Sequence, residues 1–196
     1  DLASFALVAR FEIGETKDEF GNELPVYRYE ARSWSFASEA SRRDLSQQPF
    51  AQWIVEGRIE KSKHVIATLL QRLVAQCEIH GVSFIAFDPY NASGPAEQLE
   101  LEGLTPIKMP QNHGHFNEPI SVLLDAMQSG RFKPDVNDTI MKWAGLNAAF
   151  NRNPRGDVMF DKANSKDKID AIVATTMALR AVRAAPARIQ GPIYIT

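Results

Sequence analysis

The chain of 196 residues has a single cysteine, Cys77. That excludes an intrachain disulfide and makes a cysteine-based zinc site implausible, and it suits a reducing compartment. No apolar run approaches the roughly 18 residues of a membrane span. No secretory signal is present either, because Arg10 and Glu12 interrupt the first apolar stretch. No G-x-x-x-x-G-K-[ST] loop occurs, so nothing in the chain predicts ATP hydrolysis. Repeats and low-complexity segments are absent. Net charge is also scarce: 22 Lys+Arg stand against 24 Asp+Glu, a balance of −2 that argues against a simple electrostatic nucleic-acid binder. The sum hides a division. Residues 1–130 hold 11 Lys+Arg and 18 Asp+Glu, a net of −7, and residues 131–196 hold 11 and 6, a net of +5.

What is present is ordinary globular material, 44% apolar and 23% charged, in a length that suits one domain over residues 1–196. The chain opens on Asp1 and enters a strand-like stretch at once, which reads as a fragment of a longer protein. Residues 5–13 and 25–36 are β-rich, and the polar residues 14–24 between them predict an antiparallel hairpin with a long connection. A short helix is expected within QQPFAQWIVEG. Residues 63–80 give the clearest helix. Val65, Leu69, Leu73 and Cys77 recur every four positions, Ser62 is available as a cap and Gly81 as a stop.

VSFIAF, residues 82–87, predicts a strand buried on both faces. A helix over 92–102, a strand over 104–109, and helices over 118–129 and 138–150 follow. NPRGD predicts a small hairpin, and a last helix is expected from a Ser165 cap to about residue 185. Strands first, then strand–helix alternation, then helices predict an α/β domain with a mixed sheet.

Asp88 is the informative residue. It ends an apolar strand, and in open α/β sheets ligands bind at that strand end. The same Asp also suits a turn ahead of Pro89. Asp170, beside the apolar face of Ile169, Ile172, Val173 and Val182, is the second candidate. It equally suits a helix-dipole position. Carboxylates without cysteine or a histidine cluster form an oxygen donor set, which fits Mg²⁺ or Mn²⁺ rather than zinc. His113 and His115 in MPQNHGHFNEP read as a loop, and Trp34, Trp53 and Trp143 as core residues.

The segments IAFDPYNASGPAEQLELEG and MKWAGLNAAFNRNPRGDVMFDKANSKDKIDAIVATTMALR, with FAQWIVEGRIE ahead of them, resemble the nuclease domain of phage terminase large subunits, the DNA-packaging motor proteins of tailed phages. The resemblance implies a ribonuclease H-like fold, with an antiparallel hairpin start and flanking helices, whose acids come from the first strand, a central strand and the last helix. It implies that Asp88 and Asp170 are catalytic metal ligands for two Mg²⁺ or Mn²⁺ ions. Asp1 is either the first-strand acid or a second acid close to one lying upstream. Lys162, Lys166, Lys168, Arg152 and Arg155 become candidate phosphate contacts.

The implied activity is metal-dependent endonucleolytic cleavage of concatemeric double-stranded viral DNA, in the cytoplasm of an infected bacterium. The implied partners are the DNA, the small terminase subunit, the portal protein and the motor's own N-terminal ATPase domain. Two rivals stand beside it: a DNA-gripping or docking module of the motor with little cleavage in isolation, and another ribonuclease H-like nuclease such as a resolvase.

Overall fold

A computed structural model describes residues 2–40, 49–90 and 93–184. β1 (Leu2–Lys17) and β2 (Glu23–Ser38) form a long antiparallel hairpin. The expected long connection is much shorter than the sequence suggested. Both strands run through it, and only residues 18–22 turn. The Asp18 carboxylate closes that turn by accepting from the backbone N–H groups of Phe20 and Asn22, and Gly21 supplies a φ of +84°. A register shift between Glu12 and Gly14 absorbs the polar, glycine-containing stretch as a bulge instead of a loop.

The second edge of β2 is shared by two short strands that the sequence reading missed. β3 (Ile59–Ser62) runs parallel along residues 35–38 of β2, and β6 (Phe132–Pro134) runs parallel along residues 29–31. Three or four residues are too few to show a period of two. β4 (Phe84–Phe87) and β5 (Thr105–Lys108) make a separate parallel pair, and β7 (Phe150–Arg152) and β8 (Val158–Phe160) make the hairpin expected at NPRGD.

Helices cover both faces of the sheet. α1 (Phe50–Val55) is the short helix expected around Trp53. α2 (Val65–His80) ends at Gly81, whose φ of +62° gives the left-handed stop. Its entry differs from the simple Ser62 cap. The Ser62 hydroxyl accepts from the His64 N–H and shares a hydrogen bond with Thr68 Oγ1, while His64 takes the cap position. α3 (Ser93–Leu101) and α5 (Thr139–Asn147) fall where expected.

α4 (His113–Gln128) starts five residues earlier than expected. Asn112 caps it by accepting from the His115 N–H, and Pro119 is carried inside the helix. The stretch read as a loop around His113 and His115 is therefore a first helical turn. α6 (Asp170–Ala184) starts later than expected. Ser165 does not cap it: its hydroxyl donates to the Asp161 carbonyl and accepts from the Ala149 N–H, so it ties loops together.

Alternation along β2 sorts the core into two clusters. Phe36 points with Phe5, Leu70, Leu73 and Ile85 toward α2. Tyr29, Ala31 and Ala37 point the other way, toward Ile120, Met141, Ile172 and Leu179 of α4, α5 and α6. Phe5 stacks on its cross-strand partner Trp34 with ring centroids 4.8 Å apart. The buried Trp53 and the half-buried Trp143 meet edge to face at 5.4 Å, Trp53 in the other cluster as expected of a core residue and Trp143 packed against it. The strand at residues 84–87 departs from expectation. Only Ile85 is buried and its neighbours are half-buried, because one edge of β4 has no strand beside it among the described residues.

Candidate functional site

The site forms where β4 and β5 end. These strands are parallel and in register, Phe87 opposite Lys108, so the loops that follow them lie side by side. The half-buried Asp88 is the first residue past β4. Its carboxylate is held from two directions. The Tyr90 N–H donates to Oδ1 at 3.1 Å, and Gln111 Nε2 donates to Oδ2 at 2.6 Å from the loop after β5. Each oxygen keeps further lone pairs for a ligand. Gln111 was missed from the sequence because it lies 23 residues from Asp88. The available signal was that consecutive parallel strands put their C-terminal loops together.

Asp170 opens α6, where the helix dipole favours a carboxylate, and its side chain is 26% exposed. Lys162 Nζ lies 3.8 Å from Asp170 Oδ1. The loop bearing Lys162 is pinned by Asp161, whose carboxylate accepts from the N–H groups of Ala163 and Asn164 and from Asn164 Nδ2. These bonds, led by the Asn164 side chain, hold the Asp161 carboxyl below its ordinary range. Asp161 is thus occupied in shaping the loop.

Asp88, Tyr90, Gln111, Lys162 and Asp170 line one cleft of about 580 Å³. Tyr90, 82% exposed, presents its ring at the rim and was also missed. Two carboxylates that are 82 positions apart in the sequence therefore share a cavity with one ammonium group. Asp1 lies outside the described residues. Among the described residues no group of three His, Cys, Asp or Glu gathers at one point. His115 Nδ1 bonds to Asn112 Oδ1 at 2.9 Å and completes the α4 cap.

The other basic candidates stand apart from the cleft lining. Arg152 Nη1 donates to the Gly156 carbonyl in the β7–β8 hairpin, and the Arg155 N–H donates to Asn153 Oδ1. The Lys166 N–H donates to the Asn147 carbonyl, and the Lys168 N–H to Asp167 Oδ1. Arg152, Arg155 and Lys166 are exposed.

Comparison with known proteins agrees with this architecture. Protein YmfN of Escherichia coli (strain K12) is 34% identical over 171 residues, covering 82% of this chain and 37% of the relative. The chain thus spans well under half the length of that curated relative. The crystal structure of the HK97 bacteriophage large terminase superposes with a TM-score of 0.68 at 16% identity, covering 94% of this chain and 40% of that one. That likeness establishes the fold, and the mixed α/β architecture is of the ribonuclease H-like kind found in terminase nuclease domains. The large terminase nuclease from thermophilic phage G20c matches over 61% of this chain and 62% of its own, at 21% identity and a TM-score of 0.47. The family described as terminase large subunit, endonuclease domain, matches residues 37–185. With more than half of its length inside that match, the chain belongs to the terminase large subunit endonuclease domain family.

Proposed function

We propose that residues 1–196 form a single nuclease domain of a phage packaging motor. In this reading it cleaves concatemeric double-stranded viral DNA in the infected host's cytoplasm, using Mg²⁺ or Mn²⁺. The observation that carries the reading is the convergence of Asp88, Asp170 and Lys162 on one cleft in a chain of this family. The donor chemistry fits the ions: carboxylate oxygens in a cleft whose lining holds no thiol or imidazole suit small hard cations. Asp88 and Asp170 would hold them, with Asp1 or an acid upstream of it as the further ligand. When bound, a pair of such ions lowers the pKa of an attacking water and stabilises the leaving oxygen of a phosphodiester.

The chain's own residues prepare the site. Gln111 and the Tyr90 N–H fix the Asp88 carboxylate in one orientation. The Lys162 ammonium balances Asp170 and is placed to meet a phosphate oxygen. No side-chain nucleophile is required. Lys166, Lys168, Arg152 and Arg155 serve as outer phosphate contacts, which position a duplex without reading its sequence. The ATPase domain, the small terminase subunit and the portal complete the proposed assembly.

A second reading, a DNA-gripping module with little cleavage of its own, draws on the two-carboxylate count among the described residues. Plasmid digestion with Mn²⁺ separates the two. The nuclease reading expects cleavage that disappears in Asp88→Ala and Asp170→Ala. DNA binding that survives both substitutions, with no cleavage at any metal concentration, supports the gripping module. Cleavage that prefers branched DNA to linear duplex points to a resolvase-like enzyme.

A further inference from the structure

The cleft that holds the acids opens outward into a second, shallower hollow. Its lining comes from three loops: Asp88, Pro89 and Tyr90 after β4, Pro110 and Gln111 after β5, and Lys162 after β8. Asp88, Tyr90, Gln111 and Lys162 also line the cleft, so the two spaces are continuous. The lining carries three kinds of chemistry. Asp88 and Lys162 supply charge. Gln111, whose Nε2 is committed to Asp88, brings its amide oxygen as an acceptor. The two prolines and the Tyr90 ring supply flat apolar surface. Tyr90 is 82% exposed, and its backbone N–H donates to Asp88 Oδ1. An exposed tyrosine is ordinary by itself. Here the turn that fixes the acid also fixes an aromatic residue two positions on, at the mouth of the cleft.

A nucleotide presents matching features in the same order: an anionic phosphate, an apolar sugar and a flat base. A phosphodiester held at the Lys162 ammonium has its nucleoside beside the prolines and the ring. We propose that the hollow is a subsite for an unpaired nucleobase next to the scissile phosphate, stacked on Tyr90. The proposal deepens the nuclease reading and rests on it. The need for an unpaired base follows from the duplex. Each base of an intact duplex is covered on both faces by its neighbours, so a ring on the protein's outer rim meets no open base face. A base comes free where pairing is already lost, because unstacking costs least there. Stacking on an aromatic ring tolerates any base, since every base has a π-face. The favoured substrate is therefore duplex DNA with a local loss of pairing at the cut, and with little preference for which base is unpaired.

Two short duplexes test this, one fully paired and one with a central mismatch whose unpaired base is 2-aminopurine. The purified protein is titrated with each in Ca²⁺, and cleavage is followed separately in Mn²⁺. The wild type is expected to bind the mismatched duplex more tightly and to quench its 2-aminopurine emission. Tyr90→Ala is expected to weaken that binding by about 5- to 150-fold, the range of one base–aromatic stack, and to abolish the quenching. Its affinity for the paired duplex should stay unchanged. Tyr90→Phe, which keeps the ring, should restore both signals. Because Tyr90 is exposed, both variants are expected to keep the wild-type circular dichroism. Equal affinity of the wild type for the two duplexes, or no measurable binding of either, overturns the proposal. A loss below about 2-fold in Tyr90→Ala, or an equal loss on both duplexes, also overturns it. The Mn²⁺ arm separates the two readings. The expected binding pattern in a protein that cleaves neither duplex supports the base subsite and rejects the nuclease reading alone. Cleavage that requires Asp88 but ignores both the mismatch and the Tyr90 ring rejects the subsite alone.

Discussion

Replacing Asp138 by alanine tests how the hairpin is fastened to the helical layer. Asp138 is buried and is the N-cap of α5. Its Oδ1 accepts from the Met141 N–H at 2.9 Å. Its Oδ2 accepts from the Ser33 N–H at 2.6 Å and from the Ser33 hydroxyl at 2.7 Å, across 105 positions of sequence. Loss of an N-cap costs about 0.5–2 kcal/mol. Each bond from Ser33 to the ionised carboxylate is worth about 1.5–3 kcal/mol before the desolvation of the charge is subtracted. Part of that gain is offset, since burial, joined by the Asp135 charge, pushes the Asp138 carboxyl above its ordinary 3.8. The net loss for Asp138→Ala is therefore about 3 kcal/mol. With a urea slope of about 2 kcal/mol per molar, the unfolding midpoint falls by roughly 1.5 M.

The pH dependence has a definite sign. A carboxyl whose folded value is raised binds protons more tightly when folded, so its contribution is full below 3.8 and is lost as pH rises through the folded value. The stability gap between wild type and Asp138→Ala therefore widens on acidification toward 3.8. A loss below ~0.5 kcal/mol, or a gap that narrows with acid, refutes the reasoning.

Two further outcomes follow from the geometry. Gln111→Ala frees Oδ2 of Asp88 from its side-chain partner among the described residues and is expected to raise the Mn²⁺ concentration needed for cleavage about 10- to 100-fold, with the fold unchanged by circular dichroism. An unaltered metal requirement contradicts the clamp. Cys77 is buried and its thiol is pushed up to about 11 by desolvation, so a thiol reagent at pH 8 should label it only after denaturation. Labelling of the native protein within minutes contradicts the packing of α2 against Phe36 and Ile85.

Elements with long periodic patterns were legible in the sequence, and short or capped ones less so. α2 shows seven apolar positions on one stripe and a glycine stop, and it ends where the pattern ends. β3 and β6 carry only four and three residues, and their identity comes from pairing with β2 across long separations. The start of α4 was misread because Pro119 and the two histidines suggest a loop, whereas Asn112 had already supplied the cap. At the site, Asp88 stood out as a charge ending an apolar run. Asp170 needed the resemblance, since Asp161 and Asp167 lie beside it. Gln111 and Tyr90 gain meaning only from the parallel pairing of β4 and β5. The apolar run at residues 82–87 announced a doubly covered strand, whereas β4 is half-exposed because one of its edges has no strand beside it among the described residues.

The near-neutral charge also reads differently beside the cleft. Carboxylates at the cleft would be offset by bound divalent ions, and the excess of positive charge lies in residues 131–196, which hold Lys162 and Asp170. Without metal, DNA binding should be weak and should fall readily with added salt.

The most direct measurement is the anomalous diffraction of a Mn²⁺-soaked crystal. The account predicts manganese bonded to carboxylate oxygens of both Asp88 and Asp170, with Gln111 still on Asp88. Manganese that touches neither aspartate would contradict it.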